Sequence, residues 1–158
     1  METVTLLICG AGDRGRKHGL NASKFAQNAL VVGVAEPIER RRNTCAARHG
    51  ICAENIFTSW RDMAERERFA DAVVISTQDN MHVEPVEAFA AKGYHILLEK
   101  PMAPTEEECI RVVDAVKKAD IIFGVCHVLR YTNYNQKIKE IMIRAPLERL
   151  SAFNTWSL

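Results

Sequence analysis

The sequence lacks the features that mark several classes of protein. It has no apolar run of the roughly 20 residues that a membrane-spanning helix needs. Its 21 lysines and arginines nearly balance its 20 aspartates and glutamates, so the net charge of +1 predicts no nucleic-acid or membrane partner. It has no internal repeat, low-complexity segment or interdomain linker. With 158 residues, 47% of them apolar, the chain is expected to form one soluble domain with its own core.

Cysteine is sparse and irregularly spaced. The chain has five cysteines, at positions 9, 45, 52, 109 and 126, and no two of them form a C-x-x-C pair. The odd number and the scatter predict reduced, mostly buried thiols rather than disulfides or zinc ligands, and we expect no metal site. Because Met1 leads directly into the first predicted strand, we also expect no targeting peptide and a cytoplasmic protein.

The most informative stretch lies near the start of the chain. An apolar segment, Val4 to Cys9, predicts a strand buried in a parallel sheet, and Gly10-Ala11-Gly12-Asp13-Arg14-Gly15 follows it with the pattern G-x-G-x-x-G. The pattern fits a tight turn at Gly10, close approach of a pyrophosphate at Gly12 and close helix packing at Gly15. This loop, with Asp13 and Arg14, therefore predicts a phosphate-binding site at the start of the next helix, although a glycine-rich turn without a ligand is the alternative.

An acidic residue ends the second predicted strand. A helix is predicted over Lys17 to Gln27 and a strand over Leu30 to Ala35, and Glu36 comes 21 residues after Gly15. In dinucleotide-binding folds a carboxylate at this place holds the hydroxyls of the adenosine ribose, which predicts a preference for NAD. The alternative is an acid in a solvated loop.

A run of positive charge follows Glu36. Arg40, Arg41 and Arg42 stand near the start of a helix predicted over Ile38 to His49. One of them, with Arg40 as the candidate, could stack on adenine or meet a 2′-phosphate, which leaves NADP possible as a cofactor. A solvated helix face is the alternative.

The rest of the chain continues the alternation of strands and helices. Further strands are predicted over Asn55–Thr58, Ala72–Ser76, His95–Leu98 and Ile121–Cys126, and further helices over Trp60–Arg68, Val83–Lys92 and the segment after a capping box at Thr105–Glu108. Such alternation predicts an α/β fold, a Rossmann-type doubly wound parallel sheet. Ligands bind at the carboxyl ends of such strands, where the polar loop from Thr77 to His82 and the segment Glu99-Lys100-Pro101 lie.

These features together resemble the N-terminal half of the glucose–fructose oxidoreductase / inositol dehydrogenase / rhizopine-catabolism (Gfo/Idh/MocA) family. The matching segments are the glycine loop, Val34–Pro37, Thr77–His82, Glu99–Pro101 and His127–Tyr131, and the match covers roughly residues 3 to 142. Methyltransferases and other dinucleotide folds share the glycine loop and the acid, but not E-K-P after the fifth strand. The resemblance implies a nicotinamide-dependent dehydrogenase of sugars or polyols.

The resemblance also implies roles for individual residues. Lys100 would be the catalytic residue, placed near the nicotinamide and the substrate carbinol, where its charge lowers the pKa of the hydroxyl. Pro101 would fix the turn, commonly through a cis bond in this family, and Glu99 would steady Lys100. A surface lysine at a strand end is the alternative for Lys100.

The remaining implied cofactor residues lie in loops. Thr77, Asn80 and His82 would flank the cofactor, and Arg130 would lie near the substrate mouth. For His82 the alternative is a purely structural histidine, and for Arg130 it is an arginine that binds backbone carbonyls at a helix start.

The resemblance stops near residue 142. Family members continue into a second, mainly antiparallel domain that covers the nicotinamide, completes proton transfer and usually forms the oligomer. We expect this chain to lack that domain and its oligomer surface. Residues 143–158 also lack the family's glycine turn. Codons can be chosen for residues 143–158 such that one guanine inserted after the Met142 codon shifts the reading frame. The shifted frame then encodes the family's glycine turn. We therefore expect a dinucleotide-binding domain over 1–142 and an atypical, frameshifted tail over 143–158, with a genuine short protein as the alternative.

Two functions remain open from the sequence. The first is the cofactor half of a truncated sugar or polyol dehydrogenase. The second is a non-catalytic NAD(P)-binding module that regulates a partner or is completed by one.

Overall fold

In the part of the chain that the computed structural model describes, residues 2–26 and 28–144, six strands form a parallel sheet. The strands are β1 (Val4–Cys9), β2 (Ala29–Ala35), β3 (Ile56–Phe57), β4 (Ala72–Ile75), β5 (His95–Glu99) and β6 (Phe123–Cys126). Their order, β3-β2-β1-β4-β5-β6, places the two halves of the fold on either side of the β1–β4 pair. The predicted Rossmann-type doubly wound sheet is confirmed.

Helices cover both faces of this sheet. They are α1 (Asp13–Phe25), α2 (Glu39–His49), α3 (Trp60–Glu65), α4 (Val83–Ala91) and α5 (Glu106–Ala119). Successive residues of a strand point to opposite faces. Accordingly, Leu7 of β1 packs in a core with residues of α3, α4 and α5, whereas the neighbouring Ile8 packs in a second core with Cys45 and Ala46 of α2.

Several predicted boundaries differ from the structure. Helix α1 begins at Asp13 rather than at Lys17, because the second half of the glycine loop already forms the first helical turn. The edge strand β3 is shorter than predicted because it pairs only with Val34 and Ala35 of β2. Helix α3 ends at Glu65, since Arg66 has an extended backbone and its guanidinium binds the Glu54 carbonyl oxygen.

The predicted capping box at α5 forms in a modified way. The Thr105 hydroxyl accepts a hydrogen bond from the Glu108 N–H at 3.2 Å, as expected of an N-cap. The Glu108 carboxylate lies 3.4 Å from the same hydroxyl instead of reaching the Thr105 N–H, so the reciprocal half differs from the prediction.

The chain divides into two compact units, Met1–Cys126 and His127–Leu158. In the second unit a 3-10 turn (Val128–Tyr131) precedes α6 (Asn133–Arg144). The predicted tail, apart from its first two residues, lies outside the described residues. No described helix is both long enough and apolar enough to cross a membrane.

Candidate functional site

The glycine loop is packed against the end of β4. Gly10 has a left-handed backbone (φ 87°), and a Cβ there would lie 2.6 Å from the Ser76 carbonyl oxygen. A Cβ on Gly15 would lie 1.9 Å from the Gly10 carbonyl oxygen, so neither position accepts a side chain. Gly12 is open, since the nearest atom to a Cβ there is an Arg41 guanidinium nitrogen at 4.0 Å. Only at Gly12 does the loop leave room for a ligand to approach the backbone.

The Glu36 carboxylate joins the glycine loop to the start of α2. Glu36 is 4% exposed, its Oε2 accepts the Ala11 N–H at 2.7 Å, and its Oε1 accepts the Ile38 N–H at 3.0 Å. A carboxylate has about four acceptor positions. Because two are used, Glu36 can still accept hydrogen bonds from hydroxyl groups of a ligand.

A cleft of about 390 Å³ opens between the carboxyl ends of β1, β2 and β4. Of the residues predicted from the sequence, Gly10, Gly12, Glu36 and Thr77 line this cleft. Arg41, from the arginine run, and Gln78 and Met81, from the predicted ligand-binding loop, also line it. The structure adds five residues that the sequence had not indicated, namely Ile38, Ser59, Trp60, Arg61 and Ser76. Trp60 and Arg61 belong to α3 at the far side of the cleft, and the Arg61 guanidinium lies 4.4 Å from the Trp60 ring centroid.

The loop arginine also contacts the E-K-P segment. Arg14 Nε donates to Glu99 Oε1 at 2.8 Å, and His18 Nε2, one helical turn later, lies 2.6 Å from the same oxygen. Burial favours the neutral acid, but the hydrogen bonds from His18 and Arg14 and the charge of Arg14 outweigh it, so the pKa of Glu99 lies below its ordinary value. Glu99 is therefore an anion that ties the glycine loop to the end of β5.

A thiol completes this cluster. Cys126 Sγ lies 3.7 Å from His18 Nε2, and ligand-type atoms of His18, Glu99 and Cys126 all lie within 4.8 Å of one another. Burial, and next the charge of Glu99, raise the pKa of Cys126 to about 11. The Arg14 guanidinium already neutralises Glu99, and a fixed positive charge beside the carboxylate disfavours a second cation. We therefore assign no metal to this cluster.

His82 joins the two loops that follow β4 and β5. Its ring is fully buried, with Nδ1 2.8 Å from the Pro101 carbonyl oxygen and Nε2 3.3 Å from the Thr77 carbonyl oxygen. The ring thus contacts both loops, and a role of His82 beside the cofactor stays a prediction. Any effect of His82 on a ligand has to pass through these two loops.

Lys100 projects from the end of β5 into solvent, and its ammonium has no hydrogen bond or ion pair with any residue that the structure describes. The Lys100–Pro101 bond is cis, as the resemblance implied. Glu99 lies directly before Lys100 and is fixed by Arg14 and His18. Contacts therefore hold the residues on both sides of Lys100, because Arg14 and His18 bind the Glu99 carboxylate and the His82 ring contacts the Pro101 carbonyl oxygen.

The other predicted site residues lie outside the cleft. Asp13 is exposed and binds Arg16 and Lys17 within α1, which lowers the pKa of its carboxyl. Arg40 lines a neighbouring pocket, and Asn80 lies in an exposed 3-10 turn. The role of Arg130 stays a prediction, because this residue belongs to the second unit, which is described by itself.

Comparison with known proteins agrees with this geometry. The profile of the Gfo/Idh/MocA group, described as an oxidoreductase family with an NAD-binding Rossmann fold, matches residues 4–127. The chain belongs to this family. The glycine loop, Glu36, the loop after β4 and the E-K-P segment all fall inside the matched region.

Three members of the comparison set illustrate the relationship. Inositol 2-dehydrogenase of Klebsiella pneumoniae subsp. pneumoniae is 32% identical over 117 residues, which are 74% of this chain and 34% of that protein. Levoglucosan dehydrogenase of Pseudarthrobacter phenanthrenivorans is 27% identical over 161 alignment positions, which cover 97% of this chain and 40% of that protein. Scyllo-inositol dehydrogenase from Lactobacillus casei, solved with bound NAD(H) and scyllo-inositol, has a TM-score of 0.80 at 20% identity, covering 90% of this chain and 42% of that one.

This Gfo/Idh/MocA chain spans about a third to two fifths of the length of those relatives. Its site also holds His18, which the sequence did not indicate. Arg14 and His18 are four residues apart and so share a helix face, which the spacing could have indicated. Nothing in the local sequence could have shown that Glu99, 81 residues after His18, is their common partner.

Proposed function

We propose that this chain binds NAD(H) and forms the cofactor half of an oxidoreductase that acts on a sugar or polyol. The observation that carries the proposal is the buried Glu36 carboxylate, which holds the Ala11 N–H and keeps acceptor positions free beside the open Gly12. Ribose hydroxyls need such an acceptor, and a pyrophosphate needs such an open backbone. Both stand at the mouth of the same cleft.

The residues present fit a nicotinamide dinucleotide in a defined order. Glu36 would accept from the adenosine ribose, the N–H groups at the start of α1 would face the pyrophosphate, and Lys100 would stand near the reacting end. The bound cofactor would supply a hydride acceptor or donor. Lys100, through its positive charge, would lower the pKa of a substrate hydroxyl. An ammonium group cannot accept a proton, so the proton that the hydroxyl loses would go to a base outside this stretch of chain.

The substrate class rests on the relatives. Those reported above are named for inositols and levoglucosan, which are polyols or anhydro sugars. Since the chain spans only part of their length, we propose that groups outside this stretch complete the substrate site around Lys100. Effective catalysis needs the reacting groups to be held in a productive geometry.

Cofactor binding is tested with a matched pair of glycine variants. Gly12→Ala adds a methyl group that has no closer neighbour than 4.0 Å in the protein, so the fold should stay intact. The methyl group should weaken NAD(H) binding, measured by titration calorimetry, by about 10-fold or more, because it stands where the pyrophosphate approaches the backbone. Gly124→Ala in β6, where a Cβ would make an ordinary 3.6 Å contact, is the control. Equal NAD(H) affinity in both variants would contradict the proposal.

A measurement of turnover distinguishes a chain that only binds the cofactor from one that is a complete enzyme. We expect the 158-residue chain to bind NAD but to reduce none measurably with inositol or glucose, because Lys100 lacks partner groups in the described part of the chain. A turnover of about 1 per second or more would mean that the chain alone is an enzyme. Sequencing the gene downstream of the Met142 codon tests the alternative, a non-catalytic module. An overlapping reading frame that encodes a further domain would contradict that alternative.

A further inference from the structure

Ser76, the residue that follows β4, contacts the glycine loop through its hydroxyl group. Its Oγ donates to the Gly10 carbonyl oxygen at 2.8 Å, and its backbone N–H donates to the Cys9 carbonyl oxygen at 2.8 Å. Ser76 Oγ also lies 3.4 Å from the Cys9 carbonyl oxygen, but the shorter contact with Gly10 takes the single hydrogen of the hydroxyl. The Ser76 side chain therefore binds the first residue of the G-x-G-x-x-G pattern.

The peptide group between Gly10 and Ala11 is held at both of its ends. Its carbonyl oxygen accepts from the Ser76 hydroxyl, and its N–H, which belongs to Ala11, donates to Glu36 Oε2 at 2.7 Å. A trans peptide points its C=O and N–H groups in opposite directions, so the two partners stand on opposite sides of it. Ser76 follows β4 and Glu36 follows β2, the strands on either side of β1. The ends of both neighbouring strands thus fix the orientation of this one peptide group.

This orientation decides which N–H groups of the loop stay free. The Ala11 N–H is occupied by Glu36 and cannot bind a ligand. The first N–H of the loop and α1 that donates beyond it is that of Arg16, which binds the Gly12 carbonyl oxygen at 3.0 Å. Between these two, four consecutive N–H groups have no acceptor among residues 2–26 and 28–144, those of Gly12, Asp13, Arg14 and Gly15. A pyrophosphate would bind to these groups, which begin one residue after the held peptide.

The space around the Gly10 carbonyl oxygen is too small for a larger donor than a hydroxyl group. A Cβ on Gly15 would lie 1.9 Å from this oxygen and 2.7 Å from Ser76 Oγ, so the three residues meet at one point. Without the hydroxyl, the Gly10 carbonyl oxygen would have no donor in the described part of the chain. An unpaired carbonyl is costly, and Gly10, which has no Cβ, lets the peptide group rotate away. Such a rotation would displace the free N–H groups that follow.

We propose that Ser76 is a positioning residue for the pyrophosphate of the cofactor, a role that rests on the proposed function. Its hydroxyl holds the peptide group between Gly10 and Ala11 in the orientation that directs the Ala11 N–H to Glu36. The N–H groups from Gly12 onward are then left for the pyrophosphate. Ser76 acts through the loop and needs no contact of its own with the ligand. Its loss should therefore affect ligands that carry a pyrophosphate and spare adenosine, which has only the ribose hydroxyls that Glu36 would accept.

The test compares Ser76→Ala with Ser23→Ala, which also removes a serine hydroxyl from a glycine carbonyl oxygen. Ser23 Oγ donates to the Gly19 carbonyl oxygen at 3.0 Å, and Ser23 does not line the cofactor cleft. NAD, ADP-ribose and adenosine are titrated against each variant, and binding is followed by amide chemical shifts. We expect Ser76→Ala to weaken NAD and ADP-ribose about 3-fold to 10-fold, as loss of one hydrogen bond does, and adenosine by less than about 2-fold. Ser23→Ala should leave all three affinities unchanged.

Amide hydrogen exchange in the ligand-free protein separates positioning from direct contact with the ligand. In Ser76→Ala the Ala11 N–H should exchange about 3-fold to 10-fold faster, because it belongs to the peptide group that the hydroxyl holds. Exchange at Val74, in the middle of β4, should not change, which would show that the effect is local.

Three results would overturn the role of Ser76. The first is equal affinity of Ser76→Ala and the unmutated chain for NAD and ADP-ribose. The second is an equal loss for adenosine, which would mean general damage to the cleft. The third is weaker NAD binding with unchanged exchange at Ala11, because the hydroxyl would then contact the ligand directly. Failure of the unmutated chain to bind NAD would contradict the proposed function instead, and ADP-ribose, which has no nicotinamide, would still test Ser76.

Discussion

Arg14 and Glu99 join two functional segments that lie 85 residues apart in the chain. Arg14 Nε and Nη2 both lie 2.8 Å from Glu99 Oε1, so a charged side-chain contact joins the glycine loop to the start of the E-K-P segment. The Glu99 side chain is almost fully buried, whereas that of Arg14 is 39% exposed. The charge of Glu99 therefore depends on this ion pair for its stabilisation more than the charge of Arg14 does, because water can also hydrate the Arg14 guanidinium.

Glu99→Gln should lower the free energy of unfolding by about 1–3 kcal/mol at pH 7, because it removes charged hydrogen bonds at a buried position. The folded-state pKa of Glu99 is lowered from an unfolded value of about 4.3. This stabilisation is thus present above that value and is lost as the pH falls through the lower folded-state pKa. Urea unfolding at pH 7 and at lower pH measures the difference.

The control for this prediction is Asp114→Asn, an exposed acid on α5 that makes no hydrogen bond or ion pair with other described residues. It should change the free energy of unfolding by no more than a few tenths of a kcal/mol. A stability loss in Glu99→Gln that stays the same from pH 7 to strongly acidic pH would contradict the role of the ionised carboxylate.

Glu36→Ala should weaken NAD binding and bring the affinities for NAD and NADP closer together. The variant removes the acceptor for ribose hydroxyls, and it also removes the negative charge that repels a 2′-phosphate. Titration of both cofactors against the variant measures the two effects. Glu39→Ala, three residues further on at the exposed start of α2, is the matched control. Tighter binding of NADP than of NAD by the unmutated chain would contradict the preference for NAD that we attribute to Glu36.

His82→Ala should loosen the two loops that the ring connects. It removes a buried ring that lies within hydrogen-bond distance of the Pro101 and Thr77 carbonyl oxygens, and with it the hydrogen bond that the ring N–H donates to one of them, at a cost of about 1–3 kcal/mol. Faster hydrogen exchange should be confined to the segments around Thr77 and Lys100. His127→Ala, at an exposed histidine, should change neither stability nor exchange. Unchanged exchange in both segments of His82→Ala would rule out the linking role.

Much of the fold followed from local patterns. Apolar runs predicted β1, β2, β4, β5 and β6, and the predicted end of α2 at His49 agrees with the structure, where Gly50 follows in a left-handed conformation. Edge elements were harder, because β3 is fixed by two residues of β2 rather than by its own composition.

The candidate site was predictable only in part, because some of its contacts join segments that are far apart in the sequence. Local spacing alone predicts Gly12 and Glu36 as cofactor-binding residues, so the sequence indicated them directly. The contacts of Glu99 and His82 depend on how β4 and β5 pack beside β1, and no local pattern encodes that packing. In the described part of the chain, the buried polar side chains are those of Glu36, His82 and Glu99, and each follows the end of a strand or belongs to it.

Native-state labelling with a thiol reagent should separate the cysteines by burial. Cys52 is exposed, whereas Cys9, Cys45 and Cys126 are buried, and burial raises the pKa of Cys45 to about 11. A thiol with such a pKa is almost entirely protonated at pH 8, and the thiolate is the reactive form. We expect one fast-reacting thiol at pH 8 that disappears in Cys52→Ser, with all five cysteines reacting once the chain is unfolded.

The control is Cys109→Ser, at a half-buried thiol, which should keep the fast phase of labelling. Rapid labelling of Cys45 or Cys126 in the folded chain would mean that the α2 packing or the cluster beside Glu99 opens easily, contrary to the contacts described above.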